Sequence, residues 1–263
     1  FFEGINALII PKTADGRVLF AVPWHNEIII GTTDTPVKNI VAEPKALEEE
    51  IEFVLTHFNK YCKTTISRND VKSVFVGLRP LVKIKDNKNT SVLSRDHTIL
   101  VSPSGLINIT GGKWTTYRKM AEDVINKAAE IGELSKQQCI TATTKIGEWS
   151  LPIDFNSHLH VYGNHQQQIE LLMNENEAWK ETIHADYPYT KAEVIWFVRN
   201  EMALTVEDVL ARRTRLLFLN AVAAIEAAPL VADLMMQELN ADEEWKQKQI
   251  DSFNQLAKNY TLI

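Results

Sequence analysis

The sequence predicts an α+β segment followed by a helical domain. Apolar, β-branched runs separated by turn residues fill the first part of the chain, and helical periodicity dominates after Pro152. Nine of the ten glycines lie before residue 151, which also sets the two parts apart. We therefore expect one domain over residues 1–134, a linker over 135–152 and a helical domain over 153–263.

Three strands are expected first, because apolar runs over residues 5–10, 18–24 and 28–33 are separated by turn-prone residues. Together they predict an antiparallel meander. Pro44 then begins a predicted helix whose apolar residues recur at the 3.6-residue period, namely Leu47, Ile51, Val54, Leu55 and Phe58.

Further strands are predicted over residues 71–76, 98–101 and 106–110. A second helix is expected to follow Gly112 and to end near Ile131. Its predicted buried face consists of Met120, Val124, Ile125 and Ala128.

The helical part carries its own start and stop signals. Thr190 and Glu193 have the spacing of a capping box, and Thr205 can cap the next helix. Pro229 and Asp242 are expected to break helices further on.

Charge is distributed unevenly along the chain. The formal net charge is −6, and residues 151–263 alone carry −8. Residues 71–120, by contrast, hold nine bases and two acids, a net charge of +7. This basic stretch predicts an anionic ligand, although a solvated basic face would give the same count. Nucleic acid is not expected as a partner, because aromatic residues do not alternate with the bases as in a stacking platform.

The composition excludes several classes of protein. With 263 residues, 45% hydrophobic and 24% charged, the chain is globular rather than fibrous or disordered, and no apolar run reaches the ~20 residues that span a bilayer. Cys62 and Cys139 form no disulfide or metal pattern, so we expect a reducing compartment. His158, His160 and His165 lack suitably spaced co-ligands, so we expect surface loop histidines and no metal site.

The chain has no self-contained catalytic or nucleotide-binding motif. It lacks G-x-G-x-x-G, a P-loop, H-E-x-x-H, C-x-x-C and G-x-S-x-G. Any chemistry is therefore expected to come from a cofactor, at a site shared with other segments. Because the sequence begins at Phe1 without a signal peptide, we expect it to be a piece of a longer chain.

The most informative segment is 106–118, where an apolar strand leads through two glycines to Lys113 and an amphipathic helix. The glycines would let the backbone approach a flat ligand closely. The helix N-terminus offers unpaired N–H groups and a partial positive charge, to which Lys113, Thr115 and Thr116 add a full charge and two hydroxyls. This set suits the negative charge at the N1/C2-carbonyl edge of a reduced flavin. The alternative is an ordinary strand–turn–helix.

Two arginines precede that segment. Arg79 is expected at a strand end with Pro80 behind it, and Arg95 just before another strand. Arginine binds phosphate or carboxylate through two parallel hydrogen bonds. The alternatives are a surface pairing of Arg95 with Asp96 and a structural salt bridge for Arg79.

In their order along the chain, these motifs resemble FAD-dependent glycerol-3-phosphate dehydrogenase. The similarity rests on Gly-Leu-Arg-Pro-Leu at 77–81, Ser-Arg-Asp-His at 94–97 and Gly-Gly-Lys-Trp-Thr-Thr-Tyr-Arg-Lys-Met-Ala-Glu at 111–122. Pro-Trp at 23–24, Ile-Gly-Thr-Thr-Asp at 30–34 and several stretches between 192 and 218 extend it over nearly the whole chain. The chain corresponds to the C-terminal half of such an enzyme and lacks the family's N-terminal G-x-G-x-x-G segment.

The resemblance implies an α+β fold, with an antiparallel-sheet substrate domain and part of a flavin-binding domain followed by an all-helical C-terminal domain. It also implies oxidation of sn-glycerol 3-phosphate to dihydroxyacetone phosphate, with hydride transfer from C2 to the flavin N5. We expect the fragment alone to be inactive and to lack tightly bound FAD.

By the matching motifs, Arg79 and Lys113 are the implied catalytic residues. Arg79 would hold the substrate, Arg95 would assist near the phosphate, and Lys113 would lie beside substrate and flavin. Cofactor contacts are implied for Gly111, Gly112, Lys113, Trp114, Thr115 and Thr116. The base that accepts the C2-hydroxyl proton is left open between His25, His97 and a residue outside this chain.

The expected partners are glycerol 3-phosphate, a quinone as electron acceptor and a second copy in a homodimer. The expected location is the cytoplasm, with peripheral contact at the inner face of the cytoplasmic membrane. Alternatives are an oxidase that uses oxygen, another flavin-dependent oxidase, and a non-catalytic binding or assembly module. The cluster of Arg212, Arg213 and Arg215 could bind anionic lipid or a subunit, but surface pairing with Glu207 and Asp208 is favoured.

Overall fold

The computed structural model describes residues 6–79, 96–147 and 154–262. It confirms the α+β class, with small antiparallel sheets and a region after residue 154 that is mainly helical. The described residues form two compact units: a larger unit of 6–35, 41–76 and 154–262, and a smaller unit of 36–40, 77–79 and 96–147. The division into 1–134, 135–152 and 153–263 stays a prediction.

The larger unit begins with the expected meander. Strands β1 (Leu8–Ile10), β2 (Leu19–Trp24) and β3 (Glu27–Gly31) pair in that order, all antiparallel. His25 and Asn26 form the turn between β2 and β3 with φ of 47° and 64°, the left-handed pair that a two-residue hairpin loop requires.

Helix α1 (Glu48–Asn59) covers one face of this meander. It begins four residues after Pro44, and three glutamates in its first turn suit the helix dipole. Its buried residues Ile51, Leu55 and Phe58 pack with Leu19 and Ala21 of β2 in one small core.

The strand predicted over residues 71–76 is wrong, because this segment has no regular secondary structure. Its polar groups are bonded by the helical region instead of a sheet. Val74 N donates to Tyr260 O at 2.9 Å, Ser73 Oγ donates to Leu217 O at 2.8 Å, and Lys72 O accepts from a helical N–H at 3.0 Å. The hydrogen bonds of this segment therefore do not form a strand ladder.

The smaller unit contains the hairpin of β4 (His97–Val101) and β5 (Ile107–Gly111), followed by a 3-10 turn and helix α2 (Tyr117–Ile131). These bounds confirm two predicted strands and the end of the predicted helix. The predicted buried face of α2 is wrong: Ile125 is 67% exposed, and none of the described residues of this unit is buried.

The helical part of the larger unit holds the main core. Its elements are α3 (Gln166–Glu175), the hairpin of β6 (Thr182–His184) and β7 (Tyr187–Thr190), α4 (Lys191–Glu201), α5 (Leu216–Leu219), α6 (Ala221–Leu239) and α7 (Glu243–Ala257). The β6–β7 hairpin departs from the expected all-helical domain. Fully buried residues on α4, α5 and α6 form the centre of this core, among them Val194, Ile195, Leu216, Leu217, Val231 and Met235.

Helix starts and stops in this region are mostly as predicted. Asp242 caps α7 by accepting a hydrogen bond from Trp245 N at 2.8 Å, and Thr205 Oγ1 accepts one from Asp208 N at 3.1 Å. Pro229, however, lies inside α6 and does not end it. Buried residues on both sides of the proline, Ala228 and Val231 among them, pack in the core, and the helix continues past the proline.

A fully buried carboxylate stabilises the N-terminus of α4. The capping box is confirmed, with Glu193 accepting hydrogen bonds from Thr190 N at 2.7 Å and Thr190 Oγ1 at 3.0 Å. Tyr162 OH donates to the same carboxylate at 2.7 Å, and His158 Nε2 lies 2.9 Å from it. Burial, and then the charge of Glu193, raise the pKa of Tyr162 well above its usual range. His158 is therefore part of this buried network and not of a surface loop.

Candidate functional site

The glycine turn that joins β5 to α2 has a backbone conformation that favours glycine. Gly111 and Gly112 have φ of 78° and 77°, in the left-handed region that favours glycine. A Cβ added at Gly112 would lie 2.4 Å from Met120 Sδ and 3.4 Å from the Cβ of His97. The turn is therefore packed closely on its own helix on one side.

Lys113 follows the glycines in an extended conformation and begins the 3-10 turn Trp114–Thr116. Thr116 Oγ1 accepts the Lys113 N–H at 3.1 Å and donates to Lys113 O at 2.9 Å, so this hydroxyl closes the turn. The first N–H groups of the following helical residues have no partner within the helix. A ligand edge with negative charge would be stabilised there by the helix dipole and the Lys113 ammonium.

The predicted cofactor-contacting side chains that follow the glycines are exposed. Lys113, Trp114, Thr115 and Thr116 are all in this class, with Trp114 at 87%. The Trp114 ring stacks on Tyr117 with centroids 5.6 Å apart and planes 28° apart. The turn, the charge and the aromatic pair thus adjoin one another along the chain at the start of α2.

His97 lies directly beside this turn. It is paired with Gly111 across β4 and β5, and its Nε2 is 3.2 Å from Asp123 Oδ2 on α2. Lys119 Nζ donates to the other oxygen of Asp123 at 2.7 Å. Lys119, and to a smaller extent His97, lower the pKa of Asp123. Sequence reasoning missed Asp123, because nothing in its local pattern identifies a partner on another element.

The second candidate base, His25, belongs to the larger unit. It is exposed in the β2–β3 turn and contacts Trp24, with ring centroids 5.0 Å apart. Partial desolvation of the ring, followed by the positive charges of Arg215 and His160, lowers its pKa. The choice between His25, His97 and another residue as base stays a prediction.

The two predicted substrate arginines differ in what the structure shows of them. Arg79 is an exposed residue at the end of the irregular 71–79 segment. Arg95 lies outside the described residues. Their roles, like those of Lys113 and its neighbours, stay predictions.

Within the arginine cluster after α4, Arg212 forms the local pairs that were favoured, and Arg213 pairs with a different glutamate. Arg212 contacts Glu207 at 2.5 Å and Asp208 at 3.0 Å, and Arg213 contacts Glu201 at 3.3 Å. In the described part of the chain, no group of three His, Cys, Asp or Glu side chains could hold a metal ion. Within the same residues, no helix has the length and apolar character to cross a membrane.

A sequence profile of one family covers both the turn and the helical region. This is the C-terminal domain of alpha-glycerophosphate oxidase, and its profile matches residues 106–246, more than half of the chain. The chain belongs to this family. The expected relation to glycerol-3-phosphate dehydrogenases is confirmed by the relatives and the solved structure that follow.

Mitochondrial glycerol-3-phosphate dehydrogenase of Rattus norvegicus is 36% identical over 267 residues, covering 93% of this chain and 36% of the relative. A probable mitochondrial glycerol-3-phosphate dehydrogenase of Dictyostelium discoideum is 36% identical over 276 residues, covering 95% and 43%. The chain thus spans between 36% and 43% of the length of these curated relatives.

A solved structure is also similar. Glycerol-3-phosphate dehydrogenase from Bacillus halodurans, complexed with FAD, matches with a TM-score of 0.76 and 26% identity. The match covers 97% of this chain and 53% of that one.

Proposed function

We propose that this chain is part of a flavoprotein that oxidises sn-glycerol 3-phosphate to dihydroxyacetone phosphate, with FAD as the hydride acceptor. The observation that carries the proposal is the turn of Gly111, Gly112 and Lys113 at the start of α2, in a chain of the alpha-glycerophosphate oxidase family. The named activity of the relatives and the FAD bound to the Bacillus halodurans protein support it.

The residues present fit one edge of a flavin. Two glycines at positive φ form the tight turn before α2, and the α2 N-terminus with Lys113 supplies positive charge. The smaller unit also needs further contacts, because none of its described residues is buried. An upstream dinucleotide-binding segment would bind the pyrophosphate, for which this chain has no G-x-G-x-x-G.

The basic residues of the 71–120 stretch would bind and orient the substrate. Arg79 would bind the substrate phosphate through two parallel hydrogen bonds, and Arg95 would contribute to phosphate binding. Lys113 would polarise the reacting C2 oxygen or the flavin edge, because its charge lies at the turn itself. These roles agree with the net charge of +7 over residues 71–120.

The proposed electron acceptor is a quinone. The protein would reach it by peripheral contact at the inner face of the cytoplasmic membrane. The proposed assembly is a homodimer. The relatives are named dehydrogenases, which favours an acceptor other than oxygen. The family description, which names an oxidase, favours oxygen as the second candidate. Hydrogen peroxide formation in the presence of glycerol 3-phosphate and air would distinguish the two acceptors.

Reconstitution tests the activity. We would join the chain to the dinucleotide-binding segment of a relative, purify the product, and measure flavin absorbance and dye reduction with glycerol 3-phosphate. We expect a yellow protein that reduces the dye, whereas the chain alone should retain no flavin. A colourless or inactive joined protein would refute the enzyme and favour a binding module, and stoichiometric flavin in the chain alone would refute the need for the upstream segment.

The substrate role of Arg79 has its own test in the joined protein. Arg79→Ala should raise KM for glycerol 3-phosphate about tenfold or more, because a charge-assisted pair with phosphate is lost. Arg68→Ala is the matched control, since Arg68 is engaged with Glu48 at 2.7 Å in the larger unit. An unchanged KM for the Arg79 variant would show that Arg79 does not bind the substrate.

A further inference from the structure

We propose that His97 and Asp123 act together as positioning residues for the turn of Gly111, Gly112 and Lys113. The inference rests on the proposed function, in which this turn faces the flavin. It gives His97 a role other than that of the base that accepts the substrate proton.

The first observation is the strand register. His97 is the first residue of β4 and lies opposite Gly111, the last residue of β5. The hairpin therefore ends at this pair, and the chain leaves the sheet at Gly112. His97 is therefore the residue of β4 that lies nearest to the turn, and its side chain can contact the turn from the strand side.

The second observation is a contact from the helix side. Asp123 lies almost two turns into α2, and its Oδ2 is 3.2 Å from His97 Nε2. The His97 side chain is 20% exposed and the Asp123 side chain 29%, so water screens the contact less than at an open surface. Lys119, one turn earlier, donates to the other oxygen of Asp123 at 2.7 Å.

The third observation is close packing between these two contacts. The position of a Cβ on Gly112 is 3.4 Å from the His97 Cβ and 2.4 Å from Met120 Sδ. Strand, turn and helix therefore meet around Gly112, and the His97–Asp123 contact links the strand to the helix across it. If the link is lost, the N–H groups at the α2 N-terminus can shift relative to Lys113.

The contact engages one of the two imidazole nitrogens. Nε2 faces a carboxylate that Lys119 also holds, so Nε2 is not the nitrogen that would accept the substrate proton. Positioning of the turn requires this Nε2 contact, whereas proton abstraction would require Nδ1, and the variants below distinguish the two roles.

A double-mutant cycle in the joined, FAD-containing protein tests the inference. The variants are His97→Ala, Asp123→Asn and the two combined, with His97→Gln as the conservative variant whose amide can still donate to Asp123. Glu130→Gln is the matched control, since it removes an exposed contact of 3.1 Å with Lys127 on the same helix. The readouts are the midpoint potential of the bound flavin, its visible circular dichroism, and the rate of flavin reduction by glycerol 3-phosphate.

We expect His97→Ala and Asp123→Asn each to make the potential more negative and to slow flavin reduction between about tenfold and a hundredfold. The double variant should be no worse than either single one, because the two residues act as one unit. His97→Gln should recover most of the loss, and Glu130→Gln should change nothing.

Two kinds of result would overturn the inference. Potentials and spectra that stay unchanged in folded variants, or losses that simply add in the double variant, would show that the pair does not position the turn. If His97→Gln is as inactive as His97→Ala while the potential is unchanged, His97 is a proton acceptor. A parent protein that fails to bind FAD would refute the proposed function and this inference with it, whereas a yellow parent with unaffected variants refutes the inference alone.

Discussion

The two units of the molecule bury their apolar residues to very different extents. In the larger unit, Ile195 on α4 is 1% exposed and lies in a core that joins most helices of that unit. In the smaller unit, Ile125 on α2 is 67% exposed, although α2 has the same helical periodicity. An amphipathic pattern thus shows which face of a helix is apolar, while the protein around it determines whether that face is covered.

This difference also separates the two kinds of chemistry. The larger unit has a fully buried carboxylate that accepts several hydrogen bonds, as buried polar groups do in a well-packed protein interior. The smaller unit presents its charge, its glycine turn and its aromatic pair on an exposed surface. Substitutions in the larger unit should therefore affect stability most, and those in the smaller unit should affect ligand binding most.

The largest stability effect is expected at Glu193. Replacing Glu193 by Ala should lower the free energy of unfolding by about 3–5 kcal/mol, because Tyr162 OH and Thr190 N lose a buried acceptor. Urea unfolding measures this loss. Glu226→Ala is the control, since the 61%-exposed Glu226 contacts His184 at the surface and should cost less than about 1 kcal/mol. Equal losses in both variants would contradict the buried network.

A pair of isoleucine variants tests the contrast between the units directly. Ile195→Ala should cost about 2–5 kcal/mol, because it leaves a cavity in the main core. Ile125→Ala should stay within about 0.5 kcal/mol in the isolated chain. In the protein joined to a dinucleotide-binding segment, the cost of Ile125→Ala should rise. If Ile125→Ala is costly already in the isolated chain, the smaller unit has a core that the structure does not show.

The next effect is a loss of stability at high pH. Burial, followed by the charge of Glu193, raises the pKa of Tyr189 to about 12. A tyrosine in the unfolded chain ionises near pH 10, so the native state holds this proton more strongly. The stabilisation is complete below pH 10 and is lost as the pH rises towards 12.

Between those two pH values the loss should reach about 2 kcal/mol. We would compare the urea midpoints of the parent and of Tyr189→Phe at several pH values from 8 to 12. The variant should lose less stability than the parent over pH 10–12. Parallel curves for the two proteins would show that Tyr189 ionises normally in the native state.

A modest stability effect, and the one most specific for the site, is expected at the glycine turn. Gly112→Ala should cost about 1–2 kcal/mol from its φ of +77°, and somewhat more from the contact with Met120. Gly105→Ala is the matched control, because Gly105 has a φ of +84° with no atom within 4 Å of the added Cβ. Only Gly112→Ala should also weaken FAD binding in the joined protein, and equal binding by both variants would place the flavin elsewhere.

Local signals in the sequence were sufficient for many elements of the fold. The β1–β3 meander, the β4–β5 hairpin, the capping box at Thr190 and the cap at Asp242 each depend on residues close together in the chain. The Gly111–Gly112 turn was predicted for the same reason, because its conformation is a property of the glycines themselves.

The features that were missed depend on partners distant in sequence. The apolar 71–76 segment resembles a strand, yet its Val74 N–H is bonded to Tyr260 O. Pro229 indicates a break, yet core packing carries α6 through it. The contact between His97 and Asp123 connects a strand to a helix, so neither local pattern contained it.

The larger unit is discontinuous along the chain, and this has a consequence for the order of folding. Tyr187 OH donates to Glu27 across 160 residues at 3.2 Å, and Ser73 Oγ donates to Leu217 O across 144. At ~5–20 residues per second of synthesis, the meander is made roughly 8–30 seconds before these partners. During that interval the small core between the meander and α1 can already form, whereas Glu27 and Ser73 still lack their partners from the helical region. The groups that wait for those partners are the ones a chaperone can bind during synthesis.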